Sequence, residues 1–518
     1  MARILRCLVL IASIVFLGPP STPGFAQSVP ELLTPKTPLT PQINGPKVYG
    51  VRPGHPFLYR IPCTGTRPMH FSVKNLPASL KVDELSGIIS GNAPAEKGEF
   101  VVTIEAANSM GKTARTFKIM VGDKLGLTPQ MGWNGWYTLY DHPTDSDIRK
   151  AADAMIASGM ADYGYQFVDI DDAWARKPGS TDAELGGQVR DEAGNILPNV
   201  RFPSMPSLTQ YIHSLGLKAG IYSGPGPLTC AKFEASYRHE DADAHQFNKW
   251  GFDLLKYDMC SYRNLVKEGN LDDLQKPYKL MGSLLKELDR DIVLNMCQYG
   301  EGDVWKWGRQ VGGTSWRTTG DLGLAVGDSL PGFYSVGLAN AALDAYAGPG
   351  GWNDPDYILI GTVGDANDRT APPKATSLTP EEQYSYMSMW SLMASPLLFS
   401  GDMAKLDDFT LNILCNSEVI DIDQDLLGKQ GKILRKTSLE LILAKPLEDG
   451  SIAVGLFNLG KAPRTISVDW KEIEKRGRMQ VRDVWRQKDL GKFDDTFGTA
   501  VPAHGVVLVR VEPARRKL

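Results

Sequence analysis

Between residues 125 and 405, short apolar runs recur roughly every 30 to 45 residues with helix-like segments between them, and no other feature constrains the fold as strongly. An apolar strand followed by a helix is the beat of a βα unit, and repeated units close a parallel barrel. Eight runs qualify as strands: Met131 to Trp136, Gln166 to Ile170, Lys218 to Tyr222, Leu254 to Tyr257, Ile292 to Cys297, Ser315 to Thr318, Gly351 to Asn353 and Pro396 to Phe399. Between them, Ser146 to Ser158 places Ile148, Ala152, Met155 and Ile156 on one helical face, and Lys279 to Leu288 reads as another helix. The spacing predicts a (β/α)8 TIM barrel over residues 125–405.

The flanks read differently. Residues 27–46 are a proline-rich spacer, and residues 47–122 alternate apolar and polar positions in short runs such as Phe100 to Ile104 and Thr116 to Met120, broken by Ser86-Gly87 and Ser109 to Lys112. That pattern predicts a small β-sandwich. Leu80 to Asp83 and Gly87 to Gly91 resemble the Ig-like modules of bacterial secreted enzymes. Residues 425–518 return to strands, at Leu439 to Ala444, Ile452 to Leu456, Thr465 to Val468, Met479 to Val484 and Gly505 to Val511, which predicts a C-terminal antiparallel β-sandwich. The expected class is multidomain, a barrel between two β domains. Its 518 residues are roughly three domains' worth.

Arg3 and Arg6 precede the apolar run Leu8 to Leu17, and Gly24-Phe25-Ala26 before Gln27 has the form of a small-x-small cleavage site. Residues 1–26 read as a cleavable signal peptide, which predicts a secreted or periplasmic protein with no membrane span thereafter. Removing Cys7 with the signal leaves Cys63, Cys230, Cys260, Cys297 and Cys415, enough for at most two disulfides. The 56 basic residues nearly cancel the 60 acidic ones, giving a formal charge of -4 and no broad positive field for nucleic acid.

In a parallel barrel the reacting groups lie at the carboxyl ends of the strands. Six carboxylates fall there: Asp171, Asp172, Asp258, Asp321, Asp354 and Asp356. Lys256 and Asp258 stand two apart, so both lean toward the barrel axis, and a lysine there favours an ionised carboxylate. Trp133, Trp136, Trp174, Tyr222, Trp316 and Trp352 read as sharing this rim. Flat apolar faces beside carboxylates suit a sugar, with its C–H face and its hydroxyls. His239-Glu240 followed by His245 lacks the HExxH spacing, and neither a GxxxxGK[ST] loop nor a GxSxG elbow occurs. The reading therefore invokes no metal and no cofactor.

Seven segments resemble glycoside hydrolase family 27, whose members include α-galactosidases: Pro129 to Trp136, Val168 to Trp174, Gly216 to Tyr222, Leu228 to Cys230, Trp250 to Asp258, Ser315 to Asp321 and Gly348 to Asp356. The resemblance implies that Asp258 of Lys-Tyr-Asp is a nucleophile and Asp321 of Trp-Arg-x-x-x-Asp an acid/base. It implies that Trp136, Asp171, Asp172, Tyr222, Lys256, Gln298, Arg317 and Asp356 bind substrate, and that Cys230 and Cys260 form a disulfide. A retaining exo-α-galactosidase follows, acting on carbohydrate with terminal α-linked galactose, with Asp258 ionised and Asp321 buried and initially protonated. Departures fall at Gln298 and Tyr299, where the family commonly reads Glu-Trp, and at Ala173 and Gly313, where it has cysteine. Because Gln298 stands where a glutamate would bond the sugar 2-hydroxyl, an α-N-acetylgalactosaminidase is an alternative. A β-L-arabinopyranosidase and a non-catalytic carbohydrate-binding protein are the others.

Overall fold

A computed structural model describes residues 30–322, 330–365 and 370–514. The expected signal segment, residues 1–26, and the basic tail, Arg515 to Leu518, lie outside the described residues. The chain forms two units, Met1–Glu31 and Leu32–Leu518, and every element below belongs to the second.

Eight parallel strands form one sheet: β1 (Met131–Asn134), β2 (Phe167–Asp169), β3 (Lys218–Ser223), β4 (Leu254–Asp258), β5 (Val293–Cys297), β6 (Gly313–Arg317), β7 (Trp352–Asp354) and β8 (Leu397–Phe399). Each pairs with its sequence neighbour from β1 to β7, and β8 returns to pair with β1. The remaining seam closes just past β7. There Ile358 N–H donates to Leu398 O at 2.8 Å, and Ser400 N–H donates to Ile358 O at 3.1 Å. All eight predicted strands appear, because each apolar run is buried on both faces, as a parallel sheet requires.

Helix starts follow local chemistry. Thr144 accepts from Asp147 N–H ahead of the helix Asp145–Ala157, and Asn270 caps Leu271–Glu287 through Asp272 and Asp273 N–H. The latter helix begins eight residues before the predicted Lys279. Pro277 lies inside it, where a proline reads as a boundary, and the asparagine cap marks the true start.

The N-terminal flank packs a four-stranded sheet (Val48–Val51, His70–Lys74, Gly98–Asn108, Gly111–Val121) on a three-stranded one (Pro56–Arg60, Leu80–Val82, Ile88–Asn92) around Phe57, Tyr59, Val102, Phe117 and Ile119. The C-terminal flank has a six-stranded antiparallel sheet and the pair Arg464–Asp469 with Thr496–Val501. Lys432–Lys436, Lys488–Phe493 and Thr496–Val501 are strands beyond the five predicted.

The N-terminal sandwich is anchored to the barrel through Arg52. Its side chain donates to Lys286 O at 2.6 Å and Leu285 O at 3.0 Å, satisfying carbonyls at the end of the helix Leu271–Glu287. Its Nε pairs with Asp291 at 2.8 Å, and His55 meets the same carboxylate at 2.9 Å. Arg52→Ala leaves two carbonyls without their donors and takes the guanidinium from a largely buried carboxylate that keeps His55 and the residue-52 N–H, so it should cost about 2 kcal/mol of stability. Denaturant unfolding at neutral pH checks this; a loss within ~0.5 kcal/mol, the usual range for a surface change, contradicts the anchoring role.

Candidate active site

The site is assembled by strand alternation and register. In β4, Leu255 and Tyr257 join the packed core, while Lys256 and Asp258 take the alternate face. Tyr222 of β3 lies level with Lys256, which lies level with Asn295 of β5; Asp258 lies level with Cys297. Chain segments far apart in sequence thereby reach one end of the barrel.

Asp258 is 4% exposed, and both its oxygens are occupied. Tyr222 Oη donates to Oδ2 at 3.0 Å, and Tyr299 Oη donates to Oδ1 at 2.7 Å. Burial raises its pKa above the ordinary carboxylate value, while Lys256 and the Tyr299 hydroxyl oppose that shift. The expected Lys256 pairing is different in detail. Its ammonium bonds Asp171 Oδ2 at 2.7 Å and sits between the Tyr222 and Tyr357 rings, 5.2 and 5.1 Å from their centroids. It therefore acts on Asp258 through space.

Asp171 Oδ2 also accepts from Asn134 Nδ2 at 2.8 Å and Tyr357 Oη at 3.2 Å. Asp172 accepts from the backbone N–H of Ala173 at 2.6 Å and Ala231 at 2.7 Å, and burial pushes it up to about 7 against those bonds. Cys230 and Cys260 are joined in a disulfide beside this wall, and Tyr222 Oη lies 3.1 Å from Cys260 Sγ. Cys63, Cys297 and Cys415 are free and buried.

A second carboxylate cluster lies within electrostatic range of Asp258. Arg317 pairs with Asp356 Oδ2 at 3.0 Å and Asp321 Oδ1 at 3.2 Å, and donates to Gly320 O at 2.8 Å. Burial raises Asp356 to about 6 despite the guanidinium. Asp321 departs from expectation: its side chain is 59% exposed, so burial does not surround it. It lies four residues past the end of β6, not within a strand.

Gln298 lies between Cys297, level with Asp258, and Tyr299. It is fully buried, and its Nε2 donates to Glu301 O at 2.7 Å. Its neighbour Tyr299 is the one that reaches Asp258. Trp136, partly buried, meets Tyr140 edge to face at 6.2 Å. The other tryptophans correct the rim reading. Trp133, Trp174, Trp316 and Trp352 are buried, with indole N–H groups bonded to Gly401 O, Tyr222 O, Asn353 Oδ1 and Gly126 O. Trp316 and Trp352 take the strand faces opposite Arg317 and Asn353, so they serve the core. Asn134, Tyr299 and Tyr357 bond the strand-end carboxylates and were not among the site residues expected from the sequence. Asn134 and Tyr357 fall inside or beside the motif segments and Tyr299 stands at a departure from the family pattern; only the barrel register shows what the three touch.

A family described as alpha galactosidase A matches residues 128–425, one described as the alpha galactosidase C-terminal beta sandwich domain matches 441–511, and an Ig-domain family matches 32–122. The α-galactosidase of Cyamopsis tetragonoloba is 35% identical over 394 residues, covering 75% of this chain and 87% of its own length. α-Galactosidase A of Cellvibrio japonicus is 34% identical over 413 residues, covering 76% and 93%. α-Galactosidase I of Mortierella vinacea has the same fold at a TM-score of 0.67 and 30% identity, covering 76% of this chain and 98% of that one. A Bacteroides fragilis protein described as a candidate α-galactosidase reaches a TM-score of 0.83 at 34% identity, covering 94% of this chain and all of its own. With carboxylates at the barrel's carboxyl end and relatives of this kind over most of its length, the chain belongs to glycoside hydrolase family 27, the α-galactosidase family.

Proposed function

We propose that this enzyme removes terminal α-linked galactose from oligosaccharides or glycoconjugates by double displacement, with Asp258 as nucleophile and Asp321 as acid/base. One observation carries the reading: Asp258 is a buried strand-end carboxylate held by two phenols, within electrostatic range of an Arg317-paired Asp321. Hydroxyl donors on both oxygens favour the ionised, nucleophilic form.

In the first displacement an Asp258 oxygen bonds the anomeric carbon as the glycosidic C–O bond breaks, and Asp321 gives its proton to the departing oxygen. In the second, Asp321 takes a proton from water, whose oxygen bonds the anomeric carbon as the Asp258 ester breaks. Two inversions give net retention. Asp171, Asp172 and Lys256 supply acceptors and a charge for ring hydroxyls, and the well-anchored Asp171 suits a 6-hydroxyl that an arabinopyranoside lacks.

The test is a panel of p-nitrophenyl glycosides combined with NMR of the first-formed anomer. The α-galactoside is expected to be cleaved fastest, with α-galactose appearing first. Preference for the α-N-acetylgalactosaminide or β-L-arabinopyranoside would reassign the substrate, and β-galactose appearing first would exclude double displacement.

Export belongs to the same proposal. The basic, apolar and small-residue pattern of residues 1–26 supports it, as does the Cys230–Cys260 disulfide. No helix among the described residues is long and apolar enough to cross a membrane.

A further inference from the structure

We infer that Tyr299 is a positioning residue for the nucleophile, its hydroxyl holding Asp258 Oδ1 ionised and in place; this rests on the reading of Asp258 proposed above. Asp258 Oδ1 lies 2.7 Å from Tyr299 Oη and 3.4 Å from the Cys260 N–H, whereas among the described residues Oδ2 has only Tyr222. A carboxylate oxygen with one donor keeps a lone pair free. Oδ2 is then the attacking atom and Oδ1 the anchored one.

The loop after β5 is built to deliver this hydroxyl. Tyr299 has φ +62° and Gly300 φ +82°. A Cβ on Gly300 would lie 2.3 Å from Thr318 O, so only glycine lets the loop press against the end of β6 at this point. The turn lays the Tyr299 ring near two guanidiniums, 5.1 Å from Arg263 and 5.8 Å from Arg317. Arg263 is itself fixed by Glu301 at 2.6 Å. Through Arg317, the same ring touches the group that pairs with Asp321. One side chain thus contacts the nucleophile directly and the acid/base through its arginine. Gln298, by contrast, holds the loop through its Nε2 on Glu301 O, while its buried Oε1 has no partner among the described residues.

The experiment is the pH profile of kcat/KM for p-nitrophenyl α-galactoside in three enzymes. Tyr299→Phe keeps the ring and removes the donor, so the acid limb should move up by about one pH unit, whatever the height of the plateau. Replacing Tyr299 by 3,5-difluorotyrosine keeps the shape and strengthens the donor, so the limb should move down. Opposite shifts support the inference. An unmoved limb in either enzyme overturns it, as does a plateau loss in Tyr299→Phe with no shift. Asp258→Asn is the third enzyme: if it retains activity, the nucleophile assignment fails, whereas an inactive Asp258→Asn with unshifted Tyr299 enzymes sinks the Tyr299 role alone.

Discussion

Asp258→Gly should lower kcat/KM for an aryl α-galactoside by about 10⁴-fold or more, and azide should restore part of the rate as the inverted β-galactosyl azide. The expectation follows from the place of the side chain. Asp258 closes β4, and every strong contact it makes is to a donor suited to an anion: Tyr222 Oη on one oxygen and Tyr299 Oη on the other. Removing the carboxylate leaves these donors and a space that a small anion fills. Azide then attacks the same face of the sugar, but nothing displaces it afterwards, so a single inversion remains. NMR of the azide product reads the anomer directly. Activity near that of the parent, or an α-configured azide, would remove Asp258 from the nucleophile's role. Lys256 strengthens the case by keeping the region cationic while bonded to Asp171, so it offsets part of the burial that raises Asp258.

The strands were legible in the sequence because burial on both faces leaves little choice of residue. Met131 to Asn134 and Leu254 to Tyr257 are bounded by polar or turn residues, and their identification needs only the local pattern. Strands of the terminal sheet with exposed faces, such as Lys488–Phe493, carry charges and a glycine and give no such signal. The carboxylates were legible for a related reason, since strand ends are recognisable once strands are. Their partners were not. Tyr357 meets Asp171 across 186 positions, and Lys256 meets it across 85, distances that only barrel register bridges. The tryptophans show the converse failure. A rim and a core position can be one residue apart on a strand, and Trp316 beside Arg317 is on the core side.

Asp321→Asn should separate the two half-reactions, because its work in each depends differently on the leaving group. A galactoside with a sugar as aglycone needs proton donation as its C–O bond breaks, and there kcat/KM should fall by about 10² to 10⁴. A p-nitrophenolate leaves without a proton, so its release should stay fast while hydrolysis of the Asp258 ester slows for want of a base. A burst of nitrophenol followed by a slow steady state is the expected trace. The exposure of the Asp321 side chain, 59%, where Asp258 is buried, is consistent with a group that must meet both aglycone and water. Arg317 aims it through one bond at 3.2 Å while fixed to buried Asp356 at 3.0 Å. Equal losses on both substrates would argue for a structural role instead. Azide again discriminates: with Asp258 intact it attacks the galactosyl ester and gives the retained α-galactosyl azide. Asp258→Gly gives the β product from the same reagent, so opposite anomers from two variants assign the two carboxylates to two different steps.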